Sequence, residues 1–399
     1  MAGESVIDTL EKIQNQALRI VTGAVKTTPI DAMLILTNGR PIRSVIQERA
    51  LILWERITRV PGYFALWSEV NPDLTRNLKT QAAFLQGVLE LRNSLDLNCE
   101  PECIVQPQNP VNSNNFQINL DIGQTVTKST TDSTILKALT LEVIDASYPE
   151  SDWLRIYTDG SLLSDSPVAG AGVFSEIFSF YFPVGVGSSF DGEIAAIGVA
   201  LSQLLCHLDK FTRAVVLSDS KAALLAIVSN NTLTQDILDC RNYLKSLESL
   251  EKVIVFQWVP AHCGIPGNEM ADSLAKKGAS IKQKFSRPLP FCTAKSLVKT
   301  AIRAQAQKDL SNRTSTKSWG NAIPKLRNGP RQRAVAEFRL ATGHDCLRKH
   351  LFRINVVDSP ICPLCSLGEE MDSAHLLRCP ALRKSSLSER YWEARDKIS

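Results

Sequence analysis

Between residues 151 and 280, short runs of β-branched and aromatic residues alternate with helix-like segments, and four acidic residues sit at fixed places in that alternation. The run Trp153 to Thr158 leads into Asp159 within Tyr157-Thr-Asp-Gly-Ser161, and Ala214 to Ser218 leads into Asp219 within Leu217-Ser-Asp-Ser220. Glu193 and Asp272 fall inside helix-like segments. This order permits a parallel strand pair with helices packed on it, so carboxylates distant in sequence can meet at one edge of a sheet. Hard oxygen ligands gathered there suit Mg²⁺ or Mn²⁺, which activate water and stabilise a leaving oxygen in phosphodiester hydrolysis.

Each residue also has a plainer reading. Asp159-Gly160 fits a hairpin turn, Glu193 and Asp272 fit solvated helix positions, and Asp219 fits the N-cap of the following helix. The ordered combination favours the metal reading, as does the loop Val259-Pro-Ala-His-Cys-Gly-Ile-Pro-Gly-Asn-Glu269. A structural His belongs within an apolar element. His262 instead stands among Gly and Pro breakers ten residues before Asp272, placed to shuttle protons or help product leave. Ile194, Ile197, Leu201, Leu204 and Leu208 recur at helical spacing, Ala196 and Ala200 allow close approach to a sheet, and Ser188 with Asp191 offers a capping pair. Val168 to Phe174 and Phe178 to Phe182 read as two further strands of an antiparallel meander, and Ala222 to Val228 and Ile237 to Leu250 as helices. Asn268 and Glu269 either bond a substrate backbone or cap the last helix.

The Thr-Asp-Gly-Ser segment, the Gly-Glu-Ile-Ala-Ala-Ile helix, the Ser-Asp-Ser segment and the His262 loop running into Gly267-Asn-Glu-Met-Ala-Asp272 occur in one order, and over about 152–279 the chain resembles the ribonuclease H family. The resemblance implies an α/β fold with three antiparallel and two parallel strands flanked by helices. It also implies that Asp159, Glu193, Asp219 and Asp272 hold two Mg²⁺ ions, that His262 is a mobile auxiliary residue, and that the substrate is the RNA strand of an RNA–DNA hybrid. Some family members carry a basic, Trp-containing insertion that grips the hybrid; between Asp219 and Val253 this chain has few basic residues and no tryptophan.

Charge points elsewhere for the grip. Residues 151–280 carry 9 Lys+Arg against 14 Asp+Glu, whereas 281–399 carry 23 against 10. The tail therefore suits a polyanion and the middle segment does not. Arg327, Arg331, Arg333, Arg339, Arg348, Lys349 and Arg353 recur through its helix-like segments, and nucleic-acid contact through Arg331, Arg333, Arg348 and Lys349 is expected, the alternative being a solvated helical face. The tail also holds Cys362-Pro-Leu-Cys365 and His375-Leu-Leu-Arg-Cys379. Two short-spaced pairs can close a tetrahedral Cys₃His site around a structural Zn²⁺, with 366–374 turning the chain back; the alternative is unpaired thiols or a vestigial site. The other cysteines, Cys99 and Cys103 included, form no such framework.

Upstream, Val6, Leu10, Ile13, Ala17, Ile20 and Val21 make an amphipathic helix, and Ile42 to Ile57 supplies another with Leu51, Leu53 and Trp54, reading together as a small helical bundle. The string Leu10-Glu-Lys-Ile-Gln-Asn-Gln-Ala-Leu-Arg-Ile-Val-Thr-Gly23 followed by Thr27-Thr-Pro-Ile-Asp-Ala resembles the region after the polymerase domain in reverse transcriptases of non-LTR retrotransposons, where a ribonuclease H domain and a Cys/His segment follow in this order. The expected organisation is a helical segment at 1–60, a helical and linker region at 61–150, the nuclease domain at 151–280 and the basic zinc-binding tail at 281–399. Within the second, 98–131 is rich in Asn, Gln, Pro, Ser and Thr, although Phe116 to Ile122 alternates like an edge strand. No apolar stretch of about 18 residues is evident, so the chain reads as intracellular, cytoplasmic or nuclear, with no membrane partner. The expectation is an endonuclease that works in retrotransposon replication, as the carboxy-terminal portion of a polyprotein; the competing reading is a non-catalytic nucleic-acid-binding remnant.

Overall fold

The computed structural model describes residues 3–60, 84–95, 100–103, 116–123, 132–164, 167–229, 234–281, 287–326 and 328–398. Arg327, Cys99 and most of the 61–131 region lie outside the described residues. Two compact units divide the chain: 54–74 with 98–296, and 1–53 with 75–97 and 297–399.

The first of these units is built on a mixed sheet. Among the described residues its strands are β1 (Phe116–Asn119), β2 (Trp153–Leu162), β3 (Val168–Ser175), β4 (Ser179–Val186), β5 (Arg213–Ser218) and β6 (Val253–Trp258). They pair in the order β1-β6-β5-β2-β3-β4. β2, β3 and β4 form the antiparallel meander, while β2, β5, β6 and β1 run parallel. Five strands were expected. The sixth, β1, is the alternating segment at Phe116, which adds to the β6 edge from well outside 151–280.

Both faces of the parallel part are covered, which is why β5 and β6 read as continuous apolar runs. Ala214, Val216, Ile254 and Phe256 pack against Ile194, Ile197, Leu201 and Leu204 of the Ser189–Cys206 helix and against Leu224, Ile227, Ile237 and Leu244 of the next two. Val215, Leu217 and Val255 face Ile144 and Tyr148 at the end of the Ser133–Ser147 helix, together with Ile265. Each of the Val, Leu, Ile and Phe side chains among them, taken wholly out of water, contributes about 1.5–3 kcal/mol. Ser189–Cys206 is long and apolar enough to cross a membrane by length and composition, contrary to the expected lack of such a stretch. Its apolarity has another cause: Ile194, Ile197, Leu201 and Leu204 are almost wholly buried between the sheet and the Gln235–Ser249 helix.

The other unit is helical. Ala32 and Met33 of the Ile30–Thr37 helix share one core with Trp319, Ile323 and Phe338, so the amino-terminal helices do not close a bundle alone. In the Glu4–Thr22 helix the expected apolar stripe faces solvent: Val6, Ile13, Ile20 and Val21 are each more than half exposed. The helix is held through Ile7 and Leu18 and through Gln14, whose amide donates to Arg40 O and accepts from Ile42 N. Polar ties to the chain that follows thus decide which side turns inward.

Candidate active site and metal centres

The strand register accounts for the first pair of carboxylates. Thr158 of β2 pairs with Ser218 of β5, the last residue of that strand, so Asp159 and Asp219 follow side by side. Asp159 does not end its strand as expected. β2 continues to Leu162 because β3 goes on pairing with it, Asp159 opposite Gly172. A hairpin turn at Asp159-Gly160 is thereby excluded. Asp219 is not a cap either, since Ser220 caps the Lys221–Val228 helix by accepting from Ala223 N.

Glu193 enters from the Ser189–Cys206 helix, whose start is fixed by a capping box between Ser188 and Asp191. Gly160 decides how near that helix comes. A Cβ at Gly160 would lie 2.2 Å from Glu193 N and 2.5 Å from Gly192 C, so only glycine lets the first helical turn rest on β2. As a result, ligand oxygens of Asp159, Glu193 and Asp219 all lie within 4.8 Å of one another.

Asp272 lies inside the Pro266–Ala279 helix and is 9% exposed, so it is no solvated helix position. His262, Glu269 and Asp272 bring ligand atoms within 4.8 Å of one another. The loop achieves this with left-handed backbone at His262 (φ +53°) and Gly264 (φ +77°), after which Pro266 opens the helix. His262 is exposed. Glu269 Oε1 accepts from Gly264 N at 3.2 Å and so closes the loop. Asn268 is 2% exposed, and its buried Oδ1 has no hydrogen-bond partner among the described residues.

The electrostatics are those of a site short of positive charge. Burial, reinforced by the charges of Asp219 and Asp272, pushes the Asp159 carboxyl up to about 8. Burial and the neighbouring Asp159 also raise Glu193 well above the carboxylate range. Glu193 Oε2 is buried without a hydrogen-bond partner among the described residues. Buried carboxylates crowded together are costly unless a cation or proton joins them, and this donor set fits a hard divalent ion. Two contacts went unforeseen. Lys276 Nζ pairs with Asp272 Oδ2 at 2.5 Å, an i,i+4 pair visible in the spacing Asp272-x-x-x-Lys276. Trp258 Nε1 donates to Asp219 O at 3.0 Å, and no local pattern marks it.

In the helical unit, Cys362, Cys365, His375 and Cys379 place their ligand atoms within 4.8 Å of one another. Gly368 turns in the left-handed region, Ile361 bridges Glu370, and Asp372 caps the short Ser373–Arg378 helix, accepting from Ala374 N and His375 N. His375 Nδ1 lies 2.9 Å from Glu369 Oε2 and Nε2 lies 3.5 Å from Cys365 Sγ. A carboxylate on one ring nitrogen leaves the other for a metal, and the set fits tetrahedral Zn²⁺.

The basic residues expected at nucleic acid are mostly engaged within the chain. Arg331 donates to Ile20 O and Val21 O, Arg333 pairs with Glu337, and Lys349 pairs with Glu370 and Asp372. Arg348, half-buried, has no ion pair among the described residues. On the Phe291–Thr314 helix, Lys299 and Arg303 are exposed one turn apart, with no carboxylate in the helix before Asp309.

No curated protein matches the chain. Residues 151–280 match the family model for RNase H, about a third of the chain's length. Matching segment, mixed sheet and clustered carboxylates agree: residues 151–280 are an RNase H domain with an RNase H-like α/β fold.

Proposed function

We propose that the chain is an endonuclease that hydrolyses the RNA strand of RNA–DNA hybrids with two Mg²⁺ or Mn²⁺ ions held by Asp159, Glu193, Asp219 and Asp272. The observation that carries this reading is the meeting within 4.8 Å of three carboxylates, from β2, from the residue after β5 and from a helix, with Glu193 Oε2 buried and unpartnered among the described residues. Bound ions would supply an activated water and charge stabilisation at the leaving oxygen. The chain's own residues do the rest. Gly160 and the register of β2 with β5 hold the carboxylates together, Trp258 fixes the Asp219 backbone, and exposed His262 moves protons at the loop beside Asp272.

Grip on the duplex is assigned to Arg348, Lys299 and Arg303, supported by their lack of ion pairs among the described residues and by the positive charge of 281–399. The Cys₃His cluster is assigned one structural Zn²⁺. Work in the replication of a non-LTR retrotransposon is part of the proposal, supported by the resemblance of 10–32 and by the Cys/His segment downstream. The test offers RNA–DNA, RNA–RNA and DNA–DNA duplexes of one sequence in Mg²⁺, each strand labelled in turn. Cutting confined to the RNA of the hybrid is expected; equal cutting of all three, or of the DNA strand, would refute the substrate assignment.

A further inference from the structure

Glu193 follows directly on the first turn of its helix, which places its backbone; its carboxyl bonds the Gly160 backbone and Asp159, while Oε2 has no hydrogen-bond partner among the described residues. What fixes that turn therefore fixes the site. The capping box supplies part of the answer: Ser188 N and Ser188 Oγ each donate to Asp191 Oδ2 at 2.7 Å. Ser189 Oγ hooks the helix start to Gly160 O at 3.1 Å. A third donor reaches Asp191 Oδ2 from 102 residues away, the hydroxyl of Thr293 at 2.7 Å. Asp191 and Thr293 are each 3% exposed. Arg287 stands beside them, 3.7 Å from Asp191 Oδ1 and bonded to Asp236 Oδ2 at 2.6 Å.

Both partners come from beyond residue 280, outside the segment that matches RNase H. The segment bearing them is itself anchored within the same compact unit. Leu289 O accepts from the buried Arg59 guanidinium, and Leu289 N donates to Glu100 O at 2.7 Å. A capping box needs no such third donor. Its effect is to hold Asp191 in one rotamer, and with it the turn that rests on Gly160.

We propose that residues 287–293 form a positioning strap for the carboxylate site, in which Thr293, seconded by Arg287, sets Glu193 through Asp191. The inference rests on the metal reading given above and adds to it a dependence on residues outside the RNase H segment. It is tested on the full chain with Thr293→Val, which removes the hydroxyl at similar volume, and Thr293→Ser, which keeps it. Mn²⁺ affinity is read by electron paramagnetic resonance, and melting is followed in chelator. Thr293→Val is expected to bind Mn²⁺ roughly tenfold more weakly, while Thr293→Ser stays close to wild type. In cleavage, kcat at limiting Mn²⁺ falls and KM for hybrid does not.

Unchanged Mn²⁺ affinity in Thr293→Val would overturn the strap. So would an equal loss in Leu247→Ala, a core variant in the last turn of the Gln235–Ser249 helix that reports destabilisation. Should Thr293→Val fail to fold, Arg287→Gln carries the same test, with a smaller loss of affinity expected and no loss overturning the inference. A wild-type chain that binds no Mn²⁺ would instead sink the metal reading, and the strap with it.

Discussion

Replacing Asp159 by Asn should make the metal-free protein more stable at alkaline pH, although it removes an ionisable group at the heart of the site. The Asp159 carboxyl is held at about 8, against an ordinary value near 4, first by burial and then by Asp219 and Asp272. Between about pH 4 and 8 the native state keeps a proton that the unfolded chain has lost. Stability is therefore greatest below the unfolded value and falls as pH rises through that window. The full penalty, reached above pH 8, is on the order of 5 kcal/mol. An amide escapes it at nearly equal volume but leaves imperfect hydrogen bonds costing about 1–3 kcal/mol. The net gain at pH 8.5 is then about 2–4 kcal/mol, or roughly 5–15 °C in Tm for a unit of this size. At pH 5 the penalty has mostly gone, and the variant should melt at or slightly below wild type. Melting would be followed in chelator at both pH values, then with Mg²⁺, which should raise the wild-type Tm at pH 8.5 but not that of Asp159→Asn. An Asn variant less stable than wild type at both pH values would refute the crowded-carboxylate argument.

Other substitutions address the remaining contacts. Gly160→Ala drives a Cβ into the backbone of Gly192 and Glu193, so the helix must move; a loss of about 1–3 kcal/mol and weaker Mn²⁺ binding are expected by melting and titration. Purified chain should carry one Zn²⁺ by elemental analysis and Cys365→Ala close to none, with the 331–398 region newly open to protease and Mn²⁺ binding intact. Joint Lys299→Glu and Arg303→Glu should flatten the salt dependence of hybrid binding by a slope of roughly 2; an unchanged slope would remove that helix from the grip.

The carboxylate site was largely legible because its members are marked locally: Asp159 by the glycine that follows it, Asp219 by the end of an apolar run, Asp272 by the breaker-rich loop ahead of it. Elements showed equally well where hydrophobic period 2 gave way to 3.6. Partners did not show. Alternation marked β1 as an edge strand but not its partner β6, more than a hundred residues away, and no pattern in its own segment announced that Thr293 meets Asp191 across 102 residues. The tail's positive charge was plain, but not that Arg331 would spend its donors on the carbonyls of Ile20 and Val21. Likewise the stripe Val6, Ile13 and Ile20 gave a helix its face without saying whether the fold would cover it. Periodicity records which residues share a surface, whereas long-range packing decides what that surface meets.

The central claim, that the clustered carboxylates cut RNA paired with DNA, is tested most directly by incubating an end-labelled RNA–DNA hybrid with the full chain in Mg²⁺, beside Asp159→Asn and a chelated sample. The account predicts RNA-strand fragments from wild type alone, with hybrid binding kept by the variant. Folded wild-type protein that binds the hybrid and leaves its RNA whole would contradict it, as would cutting that survives in Asp159→Asn.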